Sequence, residues 1–264
     1  MSLSSPAAPP MVLAFAASDP TGGAGLQADL LTIAALGCHP LSVVTALTVQ
    51  DTRGVERVMS IEPSWIAEQA RRVLEDIEVA AFKAGVLGSA HNVRVVSELV
   101  AEHATVPFVV DPVLASGRGD PLAERDAIDA LRELILPRTT MLTPNSLEAR
   151  RLADGAADLA ECARRLIDQG CEYVLITGTH EAGREVLNTL YDESGVVRED
   201  RWPRLPASYH GSGCTLASAI AARLAQGLEP AEAAREAQQF TWEALAAGFK
   251  PGRGQFLPNR FFRR

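Results

Sequence analysis

Apolar runs of strand length alternate with helix-period segments along almost the whole chain. Few architectures satisfy that rhythm other than a mostly parallel sheet with helices on both faces. A strand of such a sheet is buried on two sides, so it reads as an unbroken apolar run. The runs at 11–17, 41–48, 81–86, 108–111, 141–143 and 173–177 fit, and between them 26–36, 63–75, 92–103, 123–136 and 159–169 carry an amphipathic helical period. After Thr177 the rhythm changes: 185–191 and 196–202 flank Asp192-Glu193-Ser194-Gly195 as a hairpin, which adds antiparallel strands at one sheet edge. Two helices close the chain, one following Cys214 through Leu216, Ala217, Ile220, Ala221 and Leu224 to Gly227, the other over 230–247 with Pro230 in its first turn and Gly248 at its stop.

With 264 residues the chain suits one large α/β domain over 11–264. The first ten residues are, apart from Met1 and Leu3, Ser, Ala and Pro with no basic start and no apolar core, so they are expected to be a disordered tail rather than a signal peptide. No apolar run approaches the roughly 20 residues that span a bilayer. Twenty-five basic against 33 acidic residues leave a net charge of −8, a surface that repels nucleic acid and anionic membrane. Anionic small molecules stay possible, because a local nest of amides binds phosphate against an unfavourable overall charge. Cys38, Cys162, Cys171 and Cys214 form no CxxC pair, which points to free thiols in a reducing, cytoplasmic compartment and away from sulfur-bound metal.

Ligands of open parallel sheets sit beyond the carboxyl ends of the strands, so the loops there carry the functional reading. His210-Gly211-Ser212-Gly213-Cys214-Thr215 runs straight into a helix. Its glycines let backbone N–H groups converge, and the unsatisfied amides of a helix start, with the positive dipole end, make a site for phosphate or another oxyanion. Cys214 stands at its edge, either as a reactive thiol or as a small buried hydrophobe. Ser18-Asp19-Pro20-Thr21-Gly22-Gly23-Ala24-Gly25 is a second glycine loop. Neither segment satisfies GxGxxG, and no GxxxxGK[ST] is present, so a nucleotide is held differently from a Rossmann or P-loop protein.

Asp29 falls on the inward stripe of Leu26, Leu30 and Ile33, where an acid needs a partner: it is either a hydrogen-bonded structural carboxylate or a substrate acceptor. Gln50 and Asp51 follow a strand, where an amide can read the donor and acceptor edge of a heterocycle or simply sit in a turn. Asp111-Pro112-Val113 ends another strand, and Thr143-Pro144-Asn145-Ser146-Leu147-Glu148 opens a helix after the next. Asp111 and Glu148 are thereby candidates to hold hydrated Mg²⁺ beside a nucleoside triphosphate. A turn cap and a first-turn acid are the alternative roles.

Taken together and in order, Ser18 to Asp29, Val44 to Gln50, Lys83-Ala-Gly-Val-Leu-Gly88, Asp111-Pro-Val113, Leu142-Thr-Pro-Asn145 with Glu148, and His210 to Thr215 resemble the hydroxymethylpyrimidine/phosphomethylpyrimidine kinases of thiamine biosynthesis, within the ribokinase-like superfamily. The resemblance runs from Met11 to Phe262 and implies a three-layer sandwich. It implies ATP-dependent phosphorylation of 4-amino-5-hydroxymethyl-2-methylpyrimidine and then of its monophosphate, with ATP and Mg²⁺ as cofactors and a homodimer as the assembly. By family position Gln50 contacts the pyrimidine while Asp29, Val86 and Val113 shape its pocket. Cys214 is the catalytic thiol, and Gly211, Ser212, Gly213 and Cys214 form the anion hole. Asp111, Asn145, Glu148 and Thr177 belong to the metal and phosphate side.

The chain departs from the family in three places. Ala17 stands where glycine is usual, Thr177 where a lysine near the phosphates is usual, and 114–119 lacks the customary lysine after Asp111-Pro-Val. These changes bear on the second phosphorylation more than the first, with Arg118 or Lys83 as the available replacement cation. A pyridoxal kinase of the same superfamily and a noncatalytic pyrimidine-binding protein are the competing functions.

Overall fold

The computed structural model describes residues 8–115 and 124–263. Nine strands form one sheet in the order β3-β2-β1-β4-β5-β6-β7-β8-β9. The parallel centre consists of β1 (Met11–Ser18), β2 (His39–Asp51), β4 (Ala81–Ala84), β5 (Phe108–Val110), β6 (Met141–Leu142) and β7 (Tyr173–Thr177). Antiparallel strands close both edges: β3 (Gly54–Ser60) on one side, β8 (Glu185–Asp192) and β9 (Gly195–Pro203) on the other. The hairpin and the central strands are thus as the sequence reads.

Strand β3 is an addition to that reading. Most of its residues are exposed, so Gly-Val-Glu-Arg-Val-Met-Ser shows no buried alternation to detect. Its pairing carries β2 on to Asp51, and Gln50 therefore sits opposite Val55 within a strand rather than in a turn after one.

Alternate residues of each strand feed two cores. Leu13, Phe15, Phe82, Phe108, Leu142 and Val174 face a layer made by α2 (Pro63–Leu74), α3 (Ala90–Ala101), α4 (Arg125–Ala130), α5 (Ser146–Leu152) and α6 (Leu159–Asp168). Val12, Ala81, Val109, Met141, Leu175 and Leu190 face α1 (Gly25–Ala35), α7 (Ser212–Ala225) and α8 (Pro230–Ala246). This is a three-layer α/β sandwich. The helix expected over 123–136 is α4 followed by a π turn, Leu131–Ile135, and a 3₁₀ turn, Leu136–Arg138. Pro137 in the last turn cannot continue an α ladder. Residues 1–7 of the expected tail lie outside the described residues, while the Pro10 carbonyl already accepts from the His39 amide at 2.9 Å. Among the described residues no helix is long and apolar enough to cross a membrane.

Strand β1 lies between β2 and β4, so successive connections leave it in opposite directions. A crevice opens beyond the carboxyl ends at such a reversal. The segments facing it are 19–24 after β1, 85–89 after β4 and 111–115 after β5, and α7 starts against them.

Candidate active site

Asp19 organises the loop after β1. Its Oδ1 accepts from the Thr21 amide at 2.8 Å, and its Oδ2 from the Ala24 amide at 2.7 Å and the Thr21 hydroxyl at 2.9 Å. His210 Nε2 lies 2.9 Å from the same Oδ2, which ties the loop to the segment leading into α7. Burial alone would raise the Asp19 pKa, but His210 and the two amides outweigh it and hold the carboxyl below its ordinary value.

The two glycine segments touch. Gly211, at φ +83°, caps α7, and a Cβ there would run into the Gly23 carbonyl oxygen, so only glycine fits this approach. The first amide of α7 with a carbonyl partner in its own helix is that of Thr215, bonded to Gly211 at 3.0 Å. Those of Ser212, Gly213 and Cys214 precede it and form the expected nest at a helix start. Gly213 is exposed, Ser212 and Cys214 half-buried, so this nest is open to solvent rather than sealed by packed side chains. A Cβ on Gly213 would lie 3.5 Å from Asp111 Oδ2, which brings the end of β5 beside the nest.

Behind it lies a buried charge cluster. Lys83 Nζ bonds both carboxylate oxygens of Asp29 at 2.9 Å, with both side chains wholly buried, and Ser218 Oγ donates to Asp29 Oδ1 at 2.7 Å. Asp29 thus has the hydrogen-bonding partners that its inward phase demands, and none of its surface is exposed to solvent. Lys83 is likewise committed: burial would lower its pKa, yet Asp29, helped by Cys214 and Asp111, keeps it raised and charged. It is not free to replace a phosphate-binding lysine, and Arg118 lies outside the described residues.

Asp111 is buried with no hydrogen-bond partner for Oδ2. Desolvation, opposed by Lys83 and reinforced by Asp29, pushes its pKa up to about 6. Glu148 is pushed up to about 8 by desolvation and by Asp111, against the pull of amides at Asn145 (3.0 Å) and Leu114 (3.4 Å). Lys83, already shared with Asp29, does not offset the desolvation of these two neighbouring carboxyls, and an orphaned buried oxygen marks where a further cation would be welcome. Among the described residues no three His, Cys, Asp or Glu groups form a metal cage, so an ion here would complete its shell with water or substrate oxygens.

Asn145 Oδ1 accepts from the amides of Leu147 (2.9 Å) and Glu148 (3.0 Å), and the Glu148 carboxylate accepts in return from the Asn145 amide, so this pair is the capping box of α5. Asn145 Oδ1 is thus occupied within the protein, leaving its amide hydrogens for a ligand. A helix start and neighbouring cations favour the thiolate form of a cysteine. At Cys214 desolvation, with Asp111 and Asp29 against the pull of Lys83, pushes the pKa up to about 12.

On the sheet's other flank, Gln50 Nε2 donates to Thr48 Oγ1 at 2.8 Å and Thr48 Oγ1 to the Ser18 carbonyl at 2.8 Å, which anchors Gln50 beside the glycine loop. Val86 and Val113, both half-buried, lie just beyond β4 and β5. The Val113 amide turns back to the Asp111 carbonyl at 2.8 Å. Thr177 ends β7 with its amide on the Pro144 carbonyl at 3.0 Å. A cavity of about 620 Å³ opens near it, lined by Ile176, Gly178, Arg184, Leu187 and Tyr191 among others, and contains none of the expected site residues.

Sequence reasoning missed Arg260. This nearly fully buried side chain reaches from the C-terminal segment to the Gly23 carbonyl at 2.6 Å and to Thr215 Oγ1 at 3.0 Å. The available signal was an arginine embedded among Phe256, Leu257, Phe261 and Phe262.

A family model described as phosphomethylpyrimidine kinase matches residues 19–259. A hydroxymethylpyrimidine/phosphomethylpyrimidine kinase of Streptomyces coelicolor is 42% identical over 257 residues, 94% of this chain and 93% of that protein. The phosphomethylpyrimidine kinase structure from Clostridium difficile is 32% identical with a TM-score of 0.77, covering 89% of this chain and 99% of that one. The pyridoxal kinase from Staphylococcus aureus, solved in complex with AMP-PCP and pyridoxal, superposes at a TM-score of 0.88 with 28% identity, over 97% of this chain and 94% of that one. The sandwich is accordingly ribokinase-like, and with the glycine loop, the amide nest and the Asp111–Cys214 cluster all inside the matched span, the chain belongs to the phosphomethylpyrimidine kinase family.

Proposed function

We propose that this protein is an ATP-dependent kinase that phosphorylates the hydroxymethyl oxygen of 4-amino-5-hydroxymethyl-2-methylpyrimidine, and then the resulting monophosphate, in thiamine diphosphate biosynthesis. The observation that carries the reading is the meeting of the Ser212–Cys214 amides with Asp111 at the sheet's reversal point, in a chain 42% identical to a kinase of that name. AMP-PCP in the Staphylococcus aureus structure supports ATP as the donor.

A primary alcohol is a poor nucleophile, and removing its proton as the phosphorus–oxygen bond forms lowers the barrier. Cys214 Sγ is the group we assign to receive that proton. Burial and the neighbouring carboxylates hold it as a thiol, so its own proton must first leave to solvent, and a cation held at Asp111 would favour the resulting thiolate. Asp111 and Glu148 would hold Mg²⁺, which when bound screens the triphosphate and the two carboxylates. The α7 amides face the transferring phosphoryl, where losing one such donor in other enzymes costs roughly 3 kcal/mol. Gln50 is assigned to the aminopyrimidine edge, Val86 and Val113 to its flanks, and Thr177 with Asn145 to the phosphate side.

The second reading is pyridoxal phosphorylation, favoured by the close superposition on the Staphylococcus aureus enzyme. A coupled ADP-release assay with the pyrimidine alcohol, its monophosphate and pyridoxal as separate acceptors decides between them. Turnover of pyridoxal well above that of the alcohol would overturn the assignment, and ADP release with none of the three would leave only the noncatalytic alternative. A cytoplasmic homodimer is part of the proposal. Exposed Met59 and Trp65 give the β3–α2 side an apolar face for it, and sedimentation velocity tests the stoichiometry.

A further inference from the structure

Arg260 is a buried cation whose hydrogen bonds go to dipoles rather than to a carboxylate. Nη2 reaches the Gly23 carbonyl at 2.6 Å, Nη1 the Gly22 carbonyl at 3.4 Å, and Nε and Nη2 reach Thr215 Oγ1 at 3.2 and 3.0 Å. Thr215 Oγ1 in turn donates to the Gly211 carbonyl at 2.8 Å. One guanidinium thus spans the loop after β1 and the first turn of α7, the same two segments that Asp19 and His210 clasp from the other end.

Burying this side chain is costly, and burial pulls its pKa down to about 10, still cationic at neutral pH. The chain's last segment is strapped in place to present it. Phe256 bonds to Ser208 and His210 to Phe256, each at 2.9 Å, and the Asn259 amide bonds to Ala244 at 2.9 Å, while Leu257 packs beside Gly23. Such an expense for two glycine carbonyls and one hydroxyl makes sense when the spacing they fix matters.

We infer that Arg260 is a positioning residue for phosphoryl transfer, its planar fork setting the distance between the Gly22–Gly23 turn and the amides of Ser212 to Cys214. This rests on the kinase reading above, because it takes those amides to face the transferring phosphoryl. Lysine is the informative replacement. It keeps the charge and the apolar stem but cannot reach the loop and the helix with one flat donor array.

The test combines Arg260→Lys and Arg260→Ala with steady-state kinetics and hydrogen–deuterium exchange. A misplacement near 1 Å costs about a hundredfold in rate, so Arg260→Ala is expected to lose about that in kcat, and Arg260→Lys about tenfold, with KM for both substrates changed less than about threefold. Added guanidinium ion should restore part of the Arg260→Ala rate and none of the Arg260→Lys rate, whose pocket stays filled. Amides of 19–25 and 210–215 should exchange faster in Arg260→Lys than in the parent, with the rest of the chain unchanged. Should Arg260→Ala not fold, Arg260→Lys decides alone. Parental kcat and parental exchange in that variant would overturn the inference. The exchange measurement needs no turnover, so a parent protein inactive on every acceptor would refute the kinase reading while the fork is still judged by exchange.

Discussion

Replacing Lys83 by methionine isolates the energetics of the cluster behind the amide nest. Asp29 and Lys83 are wholly buried and share two hydrogen bonds of 2.9 Å, so removing the ammonium strands a carboxylate with only Ser218 as donor. Breaking a buried pair from one side typically costs about 3–5 kcal/mol, most of it the penalty of the charge left behind. Here Asp111 also loses its nearest favourable charge, which puts the expectation at the upper end, near 5 kcal/mol. For a chain of this length that lowers the melting temperature by about 10 °C. Adding Asp29→Asn removes the stranded charge yet keeps an acceptor for Ser218, and should recover at least half of the loss. Urea unfolding followed by circular dichroism of the parent, both single variants and the double variant closes the cycle. A cost below about 1 kcal/mol for Lys83→Met would refute the claim that this pair holds α1 to β4 as a dry ion pair.

Cys214→Ala should leave AMP-PCP and pyrimidine binding largely intact by calorimetry while phosphate transfer falls by about a hundredfold or more, and unchanged transfer would exclude the thiol as proton acceptor. Gly211→Ala forces a Cβ onto the Gly23 carbonyl at a positive φ, so stability should fall by about 2 kcal/mol or more and activity should nearly vanish, as read by thermal melts and the coupled assay. The raised pKa values of Asp111 and Glu148 mean the native state keeps protons that the unfolded chain releases. Stability without divalent cation should therefore decline from the ordinary carboxylate range near pH 4 up to about pH 8, and added Mg²⁺ should raise the melting temperature more at pH 8 than at pH 6. A melting temperature that climbs from pH 6 to pH 8 in chelator would contradict this.

What could be read from the sequence follows burial. Central strands such as β1, with its unbroken Val-Leu-Ala-Phe-Ala-Ala, announce themselves because both faces are apolar. Strand β3 does not, because a two-strand edge exposed to solvent leaves no pattern in its side chains. The same limit governs the site. The phase of Asp29 on its helix shows that it needs a partner, but nothing local names Lys83, 54 residues away. Asn145 and Glu148 carry a capping-box spacing that is legible on its own, and the metal role suggested by family position obscured it. For Cys214 the helix start is visible in sequence, whereas the carboxylates that crowd its thiol come from α1 and the end of β5.

Residues 19–25 and residues 208–260, drawn from near opposite ends of the polypeptide, are stitched together by Asp19, His210 and Arg260. The two segments meet only when the stretch around Phe256 to Arg260 folds back onto the loop after β1 and the start of α7. A fragment ending before Phe256 would keep every strand of the sheet and lose the clasp that Arg260 makes on Gly23 and Thr215.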